Sequence, residues 1–485
     1  MVLGFDNQIF NNPIPIAERY NGGYKMNMSN EIKLFDTFER KKRVFVPLEH
    51  GKVKIYTCGP TVYDYPHIGN LRAYVFTDIL RRMFEFNGYK VTQVINVTDV
   101  GHLRSDADEG EDKVEARARE QKRSAWEITD FFTNLFKQNL ISLNIGSPTI
   151  LSKATDHITE QIALVERLEK LGYTYKTSDG VYFDTSKLAE YGHLARLDID
   201  GMMPGVRVEK NPEKRNPTDF ALWKFSPKDQ KRQMEWNSHW GVGFPGWHVE
   251  CSAMAMKYLG ETIDVHTGGV DHIPIHHTNE IAQSETATGK QFARYWMHVA
   301  FLTVNGGKMS KSLGNFFTLQ DIVDKGYDPL SFRYLLLTAK YSAGLNFTWN
   351  SLDGAQKTLS SLRERIYEWK DTNAEPDESI LGKFRSYIND DLNTPKAIAL
   401  LWKTVGLSIS TAVKKATFAE LDKALGLGLI QTKEDDIPET IRILVVKREA
   451  LRKEKKWNEA DKVRIELESQ GYRIQDTKEG SRIKR

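Results

Sequence analysis

Cysteine is almost absent: Cys58 and Cys251 are the only two in 485 residues, too few for a disulfide framework in a chain of this length. Long apolar runs are missing too. Nothing approaches the ~18 consecutive apolar residues of a membrane-spanning helix, so no membrane association is expected. The first thirty residues scatter Asp6, Glu18 and Arg19 among Asn and Pro. They lack the apolar core of a signal peptide and the Arg-rich, acid-poor character of a transit peptide, and the expected location is cytoplasmic. No Walker A pattern occurs, which excludes a P-loop cradle for phosphate. Charge of one sign is lacking as well, because 68 Lys and Arg face 65 Asp and Glu. The local exception is residues 442–485, with 14 basic and 8 acidic side chains. Such a stretch suits a solvated helix face or a polyanion.

What is present reads as a globular chain of three or more units, 40% hydrophobic and 27% charged. Residues 1–31 show no sustained periodicity and are expected to form a poorly ordered extension. Residues 53–58 alternate apolar and polar side chains, a strand pattern. A turn-rich segment follows, then an amphipathic helix with Val75/Phe76, Ile79/Leu80 and Met83/Phe84 on one face, closed by Gly88. Residues 91–98 form a β-branched strand, and strand–loop–helix–strand at this spacing predicts parallel pairing in an α/β domain. A second block predicts a short strand at 262–265, a helix at 276–288 and a strand at 297–304. The mixed, charged stretch between them predicts an insertion, and the chain from about 351 onward is helical.

Pro66-His67-Ile68-Gly69-Asn70 falls between the first strand and its helix. In open parallel sheets ligands bind at that carboxyl end, and the helix N-terminus offers free N–H groups to a phosphate. Alone, the segment reads more readily as a plain turn. Lys308-Met309-Ser310-Lys311-Ser312 follows Gly306-Gly307 at the end of the last strand and suits a mobile clamp for pyrophosphate; alone it reads equally as a solvated basic loop. Together, at carboxyl ends in both halves of one domain, they point to nucleotide chemistry. Gly241-Val242-Gly243-Phe244-Pro245-Gly246 matches G-x-G-x-x-G but follows no β-branched strand and contains a proline, so it is read as a loop and not a cofactor site. Cys58 ends the first strand and Cys251 opens a helix. His276 and Glu280 are four apart and share a helix face. The four make a tetrahedral zinc set, with His277 a competitor that spacing leaves open.

These residues resemble the cysteinyl-tRNA synthetases, class I enzymes. Cys58-Gly59-Pro60-Thr61-Val62-Tyr63-Asp64 leading to His67-Ile68-Gly69 resembles the family's zinc cysteine and HIGH signature, and residues 308–312 its KMSKS signature. Segments 220–224, 245–254 and 279–284 are similar to family segments too, and 389–395 resembles its helical tRNA-binding bundle. The similarity runs from about Ile32 to the C-terminus.

The resemblance implies a Rossmann-like parallel-sheet catalytic domain at 32–149 and 246–350, interrupted by an insertion at 150–245. A C-terminal all-α tRNA-binding bundle at 351–430 and a basic helical tail at 431–485 complete it. One Zn²⁺ is implied on Cys58, Cys251, His276 and Glu280. Gly59, Thr98, Trp247 and Asp271 match the amino-acid pocket. His67, Gly69, Asn70, His266 and Lys311 match ATP contacts, and His67, Asn70, Lys308 and Lys311 the stabilisers of charge during the reaction. Cysteine, ATP with Mg²⁺, and tRNA(Cys) are the implied substrates, on a monomer. The chain departs from the family where Asn70 replaces the second His of the signature: asparagine donates a hydrogen bond, but not a charge-assisted one. Ile483 stands where an aromatic residue is expected, and residues before 32 have no counterpart.

Overall fold

The protein's structure, a computed structural model, describes residues 31–101, 112–197, 212–227, 232–310, 313–369, 374–430, 439–454, 456–470, 472–477 and 480–484. The expectation for residues 1–30 and for Lys311 lies outside them.

At the centre is a five-stranded parallel sheet: β1 (Lys52–Thr57), β2 (Lys90–Val97), β3 (Ile150–Lys153), β4 (Ile263–Gly269) and β5 (Ala293–Val299). Their spatial order is β3-β2-β1-β4-β5. Chain direction across the sheet reverses between β1 and β4, the switch point where doubly wound folds open a crevice. Helix α1 (Ile68–Phe86) crosses from β1 to β2. It starts at 68 because His67 is extended and caps it, and it stops at Asn87, after which Gly88 turns at φ +81°. The inward stripe of Leu71, Val75, Ile79, Leu80, Met83 and Phe84 is buried against the sheet. α2 (Trp247–Leu259) and α3 (Thr278–Thr288) pack on the opposite face with the insertion.

Several sequence expectations shift. Ile150–Lys153, the first residues of the expected insertion, pair in parallel with β2 as the sheet's edge strand. The expected strand at 297–304 breaks in two. Ala300 N–H leaves the sheet to bond Tyr341 O at 2.9 Å, and Leu302–Val304 pairs instead with Leu345–Phe347. The glycine-rich 241–246 segment is not a loop. Gly241–Pro245 is a strand antiparallel to Phe220–Phe225, and Gly246 N–H is spent on Leu222 O. Glycines erase the side-chain alternation that marks a strand, which is why the pattern hid it.

Beyond the sheet, α4 (Pro329–Leu337) leads to four helices, α5 (Trp349–Tyr367), α6 (Glu378–Asn389), α7 (Thr394–Val405) and α8 (Thr411–Leu425). Their core is continuous with the α1 side of the sheet. The tail has a small core of its own, Ile441, Val445, Val463, Leu467, Tyr472 and Ile474. It is not wholly helical: after helices Glu439–Lys453 and Trp457–Ser469 it ends in a hairpin pairing Arg473–Thr477 with Gly480–Lys484. Among the described residues no helix is long and apolar enough to cross a membrane.

Candidate metal centre and nucleotide site

The parallel register sets Cys58 at the end of β1 beside β4, with its N–H on Thr267 O at 3.1 Å. Cys251 sits in the first turns of α2, and His276 lies in a π-helical turn (Ile273–His277) that runs into α3, where Glu280 follows one turn later. All four are buried, and their ligand atoms lie within 4.8 Å of one another. His276 Nε2 is 3.0 Å from Glu280 Oε1, and Cys58 Sγ is 3.8 Å from the same oxygen.

The electrostatics of this cluster fit a cation. Burial pushes the Cys58 thiol well up. Burial also opposes the charged form of His276, yet Cys251 and Glu280 outweigh it and hold its pKa at about 10. Burial would raise Glu280, but His266 and His276 keep it well below the usual carboxylate range. Cys251 is lowered by Cys58 and His276 against the same burial. Lowered Cys251 and Glu280 and raised His276 all favour their charged forms in one buried site, with a proton on His276 held where a metal would bind. Two thiols, an imidazole and a carboxylate are zinc donors. His276 Nδ1, turned away from Glu280, meets His248 Nδ1 at 3.0 Å, a partner that fixes the ring.

The residues expected around the amino acid border this cluster. A Cβ on Gly59 would stand 1.5 Å from Asn96 O, so only glycine lets the chain pass this close to β2. Gly59 N–H donates to Asn96 Oδ1 at 2.7 Å, and Asn96 Nδ2 donates to Thr98 Oγ1 at 3.1 Å. Thr98 in turn donates to Glu250 Oε2 at 3.1 Å. Asn96 and Glu250 were missed from sequence; a polar residue inside the buried strand before Thr98 was the available signal. Trp247 lays its ring 4.4 Å from that of His276, and Asp271 is exposed on the turn after β4. His266 departs from expectation. It is fully buried, its Nε2 2.9 Å from Glu280 Oε2 and its ring stacked on Trp296, so it braces Glu280 instead of bordering the open crevice.

The two phosphate segments meet. His67 Nδ1 accepts the Asn70 N–H at 3.1 Å, and Asn70 Oδ1 accepts the His67 N–H at 3.1 Å, a reciprocal cap. That leaves Nε2 of His67 as the ring's N–H donor. Burial lowers the His67 pKa, only partly offset by nearby Asp271, so the ring is neutral at pH 7. The strand-like stem after the basic loop lies alongside: Ile68 N–H bonds Phe317 O at 2.8 Å, and the Phe316 ring stands edge-on to His67 at 5.3 Å. A Cβ on Gly69 would meet Met309 Cε at 2.6 Å, so the loop rests directly on the signature glycine. Asn315 pins the loop by accepting Ser310 N–H and donating to Lys308 O, with Lys308 exposed.

Residues 44–357 match the family model for the class I tRNA synthetase (C) catalytic domain. A cysteine--tRNA ligase 1 of Burkholderia lata is 52% identical over 455 residues, covering 93% of this chain and 96% of its own. A cysteine--tRNA ligase of Treponema denticola is 41% identical, covering 92% of this chain and 98% of its own. Among solved structures, Mycobacterium tuberculosis methionyl-tRNA synthetase with methionyl-adenylate superposes with a TM-score of 0.53 at 16% identity, over 78% of this chain and 90% of that one. The Agrobacterium radiobacter LeuRS–tRNA–LeuAMS complex gives 0.55 at 12%, over 79% and 84%. At such identities these two likenesses establish the fold alone.

Proposed function

The chain belongs to the cysteine--tRNA ligase family of class I tRNA synthetases, and on that premise we propose that it activates cysteine with ATP and transfers it to the 3′ end of tRNA(Cys). The observation that carries this reading is the thiol-suited donor set, Cys58, Cys251, His276 and Glu280, with Cys58 following β1 and the His67 cap opening the next helix, α1.

In the first half-reaction the cysteine carboxylate attacks the α-phosphorus of ATP and pyrophosphate leaves. Neutral His67 donates from Nε2 to a phosphate oxygen, and the Asn70 amide adds a second donor at the N-terminus of α1. Lys308 and Lys311 bring positive charge to the leaving pyrophosphate, with Mg²⁺ accompanying ATP. Gly69 admits the nucleotide close to the backbone. Asp271 offers its exposed carboxylate to the substrate ammonium, and Gly59, Thr98 and Trp247 shape the side-chain pocket. In the second half-reaction a hydroxyl of the terminal tRNA ribose attacks the adenylate carbonyl and AMP leaves. Pocket shape alone would separate serine from cysteine by only ~1–3 kcal/mol. Zinc on the four-residue set would supply a soft Lewis acid that prefers a thiolate to a hydroxyl. We read 32–153 and 246–350 as the catalytic domain, with Ile150–Lys153 as its edge strand, 154–245 as an insertion, and 351–430 with the tail 431–485 as the tRNA-facing part.

Pyrophosphate exchange should depend on cysteine and ignore serine, and purified chain should charge tRNA with cysteine. Exchange without any tRNA charging would mean that the adenylate passes to a different acceptor.

A further inference from the structure

Glu280 and Cys58 each look two ways. Glu280 Oε1 lies 3.0 Å from His276 Nε2, whereas Oε2 lies 2.9 Å from His266 Nε2. Cys58 Sγ stands 3.8 Å from Glu280 Oε1 and 3.2 Å from His277 Nε2. Ligand atoms of Cys58, His266, His277 and Glu280 all fall within 4.8 Å of one another, just as those of the first set do. We propose that these side chains form two overlapping coordination sets for a single divalent ion, sharing Cys58 and Glu280. The second set holds the ion through His266 and His277 when Cys251 or His276 is lost. This rests on the metal reading above and adds to it.

His277 is held as a metal-binding histidine is held. Its Nδ1 lies 2.7 Å from His298 Nε2, and His298 Nδ1 lies 2.8 Å from Thr37 Oγ1, a chain that fixes the ring with Nε2 toward Cys58. A structural histidine would not need a thiol as its second neighbour. His266 is fully buried, and its Nδ1 has no hydrogen-bond partner among the described residues, a costly arrangement for a purely structural side chain. Both sets use donors that zinc accepts in tetrahedral geometry. They differ in softness: the first offers two thiolates, the second one thiolate and two imidazoles. Zinc therefore prefers the first, and the second is weaker without being absent. Because Cys58 and Glu280 belong to both, only one ion fits at a time.

The two sets make opposite demands on single variants. Zinc bound to the purified full-length chain is measured by metal analysis, and its affinity by competition with a chelator. The parent and His277→Gln should each hold about one zinc, and Cys58→Ala none. Cys251→Ala should still hold about one, with affinity weakened at least roughly tenfold, and Cys251→Ala/His277→Gln should hold none. His276→Asn, alone and with His277→Gln, tests the same point from the other member of the first set, so one folded pair suffices. Cobalt substitution gives a second readout: the thiolate-to-metal absorption of Cys251→Ala should fall to roughly half that of the parent. The proposal is overturned if Cys251→Ala and His276→Asn are as zinc-free as Cys58→Ala, or if adding His277→Gln to either changes nothing. A parent without zinc would overturn it too, together with the metal reading on which it rests.

Discussion

Substitution of Asn70 separates two jobs that one side chain does at once. Its Oδ1 accepts the His67 N–H while its own N–H bonds His67 Nδ1, both at 3.1 Å and both exposed. Its amide nitrogen remains as a donor toward phosphate. Asn70→Ala removes the Oδ1 half of the cap, and because water can reach the orphaned N–H the loss should stay near the low end for caps, about 0.5–1 kcal/mol. Loss of one donor to a charged phosphate is worth more, about 1.5–3 kcal/mol, or roughly 10- to 10²-fold in adenylate formation. Asn70→Asp behaves differently. It keeps an acceptor for His67 N–H and adds negative charge at a helix N-terminus, favourable by ~0.3–1 kcal/mol. It also removes the donor and points a carboxylate at the triphosphate. Thermal stability should therefore rank Asn70→Asp at or above the parent and Asn70→Ala below it. Pyrophosphate exchange should fall in the order parent, Asn70→Ala, Asn70→Asp. Asn70→His, which restores a charge-capable donor, should match or exceed the parent. If Asn70→Asp exchanged pyrophosphate at the parent's rate, Asn70 would be a cap and nothing more.

Lys311→Ala should slow adenylate formation roughly 10²–10³-fold with little change in cysteine affinity; weakened cysteine binding with unaltered chemistry would contradict its role. Burial raises the Asp99 pKa to about 6 despite its bonds from Thr155. The folded value lies above the unfolded one, so the stability this group contributes is full below about pH 4 and lost as pH rises through about 6. In urea titrations the parent's stability relative to Asp99→Asn should fall across that window by on the order of 3 kcal/mol, and a constant difference would refute the assignment. Truncation after Ile430 leaves the bundle core intact and removes a unit with its own core. Cysteine-dependent exchange should survive while tRNA binding weakens and loses part of its salt dependence; full charging by the truncated chain would rule the tail out as a tRNA element.

The local signals were the ones sequence carried well. Strand and helix periodicity around β1, α1 and β2, and the four-residue spacing of His276 and Glu280, are short-range patterns that burial on one face writes directly into the chain. The two cysteines could be placed because there were no others to weigh. What stayed hidden depends on contacts distant in sequence. That Ile150–Lys153 completes the sheet is decided by its partner β2, not by its own four residues. That His266 turns inward to Glu280 depends on which face of β4 its register assigns it, and a motif match fixes position without direction. Spacing could not choose between His276 and His277, and in the structure both rings face the shared ligands, through Glu280 and Cys58 respectively.

The helical bundle is tied to the sheet domain through α1. α1 is 19 residues long, roughly 28 Å, with the reciprocal His67–Asn70 cap at one end. At the other end Asn87 and Asn389 exchange amide hydrogen bonds of 2.8 and 3.1 Å. Midway, Asp78 receives Arg333, a fully buried side chain that also donates to Leu425 O and Leu143 O. Residues 389–395, expected in a tRNA-binding bundle, therefore face the sheet domain. There Asp391 Oδ1 accepts both Phe35 N–H and Tyr341 O–H. Asp391 and Leu392 both hold positive φ, 58° and 50°, a backbone that costs on the order of 1–3 kcal/mol per residue and persists only where surrounding contacts hold it. The bonds from Phe35 and Tyr341 anchor Asp391 here. A rotation of the bundle would have to break the Asn87–Asn389 pair and release the buried Arg333 from Asp78, both at α1, and relax the Asp391–Leu392 step held by Phe35 and Tyr341. Displacement of the bundle would therefore strain α1, at whose N-terminus the His67–Asn70 cap stands.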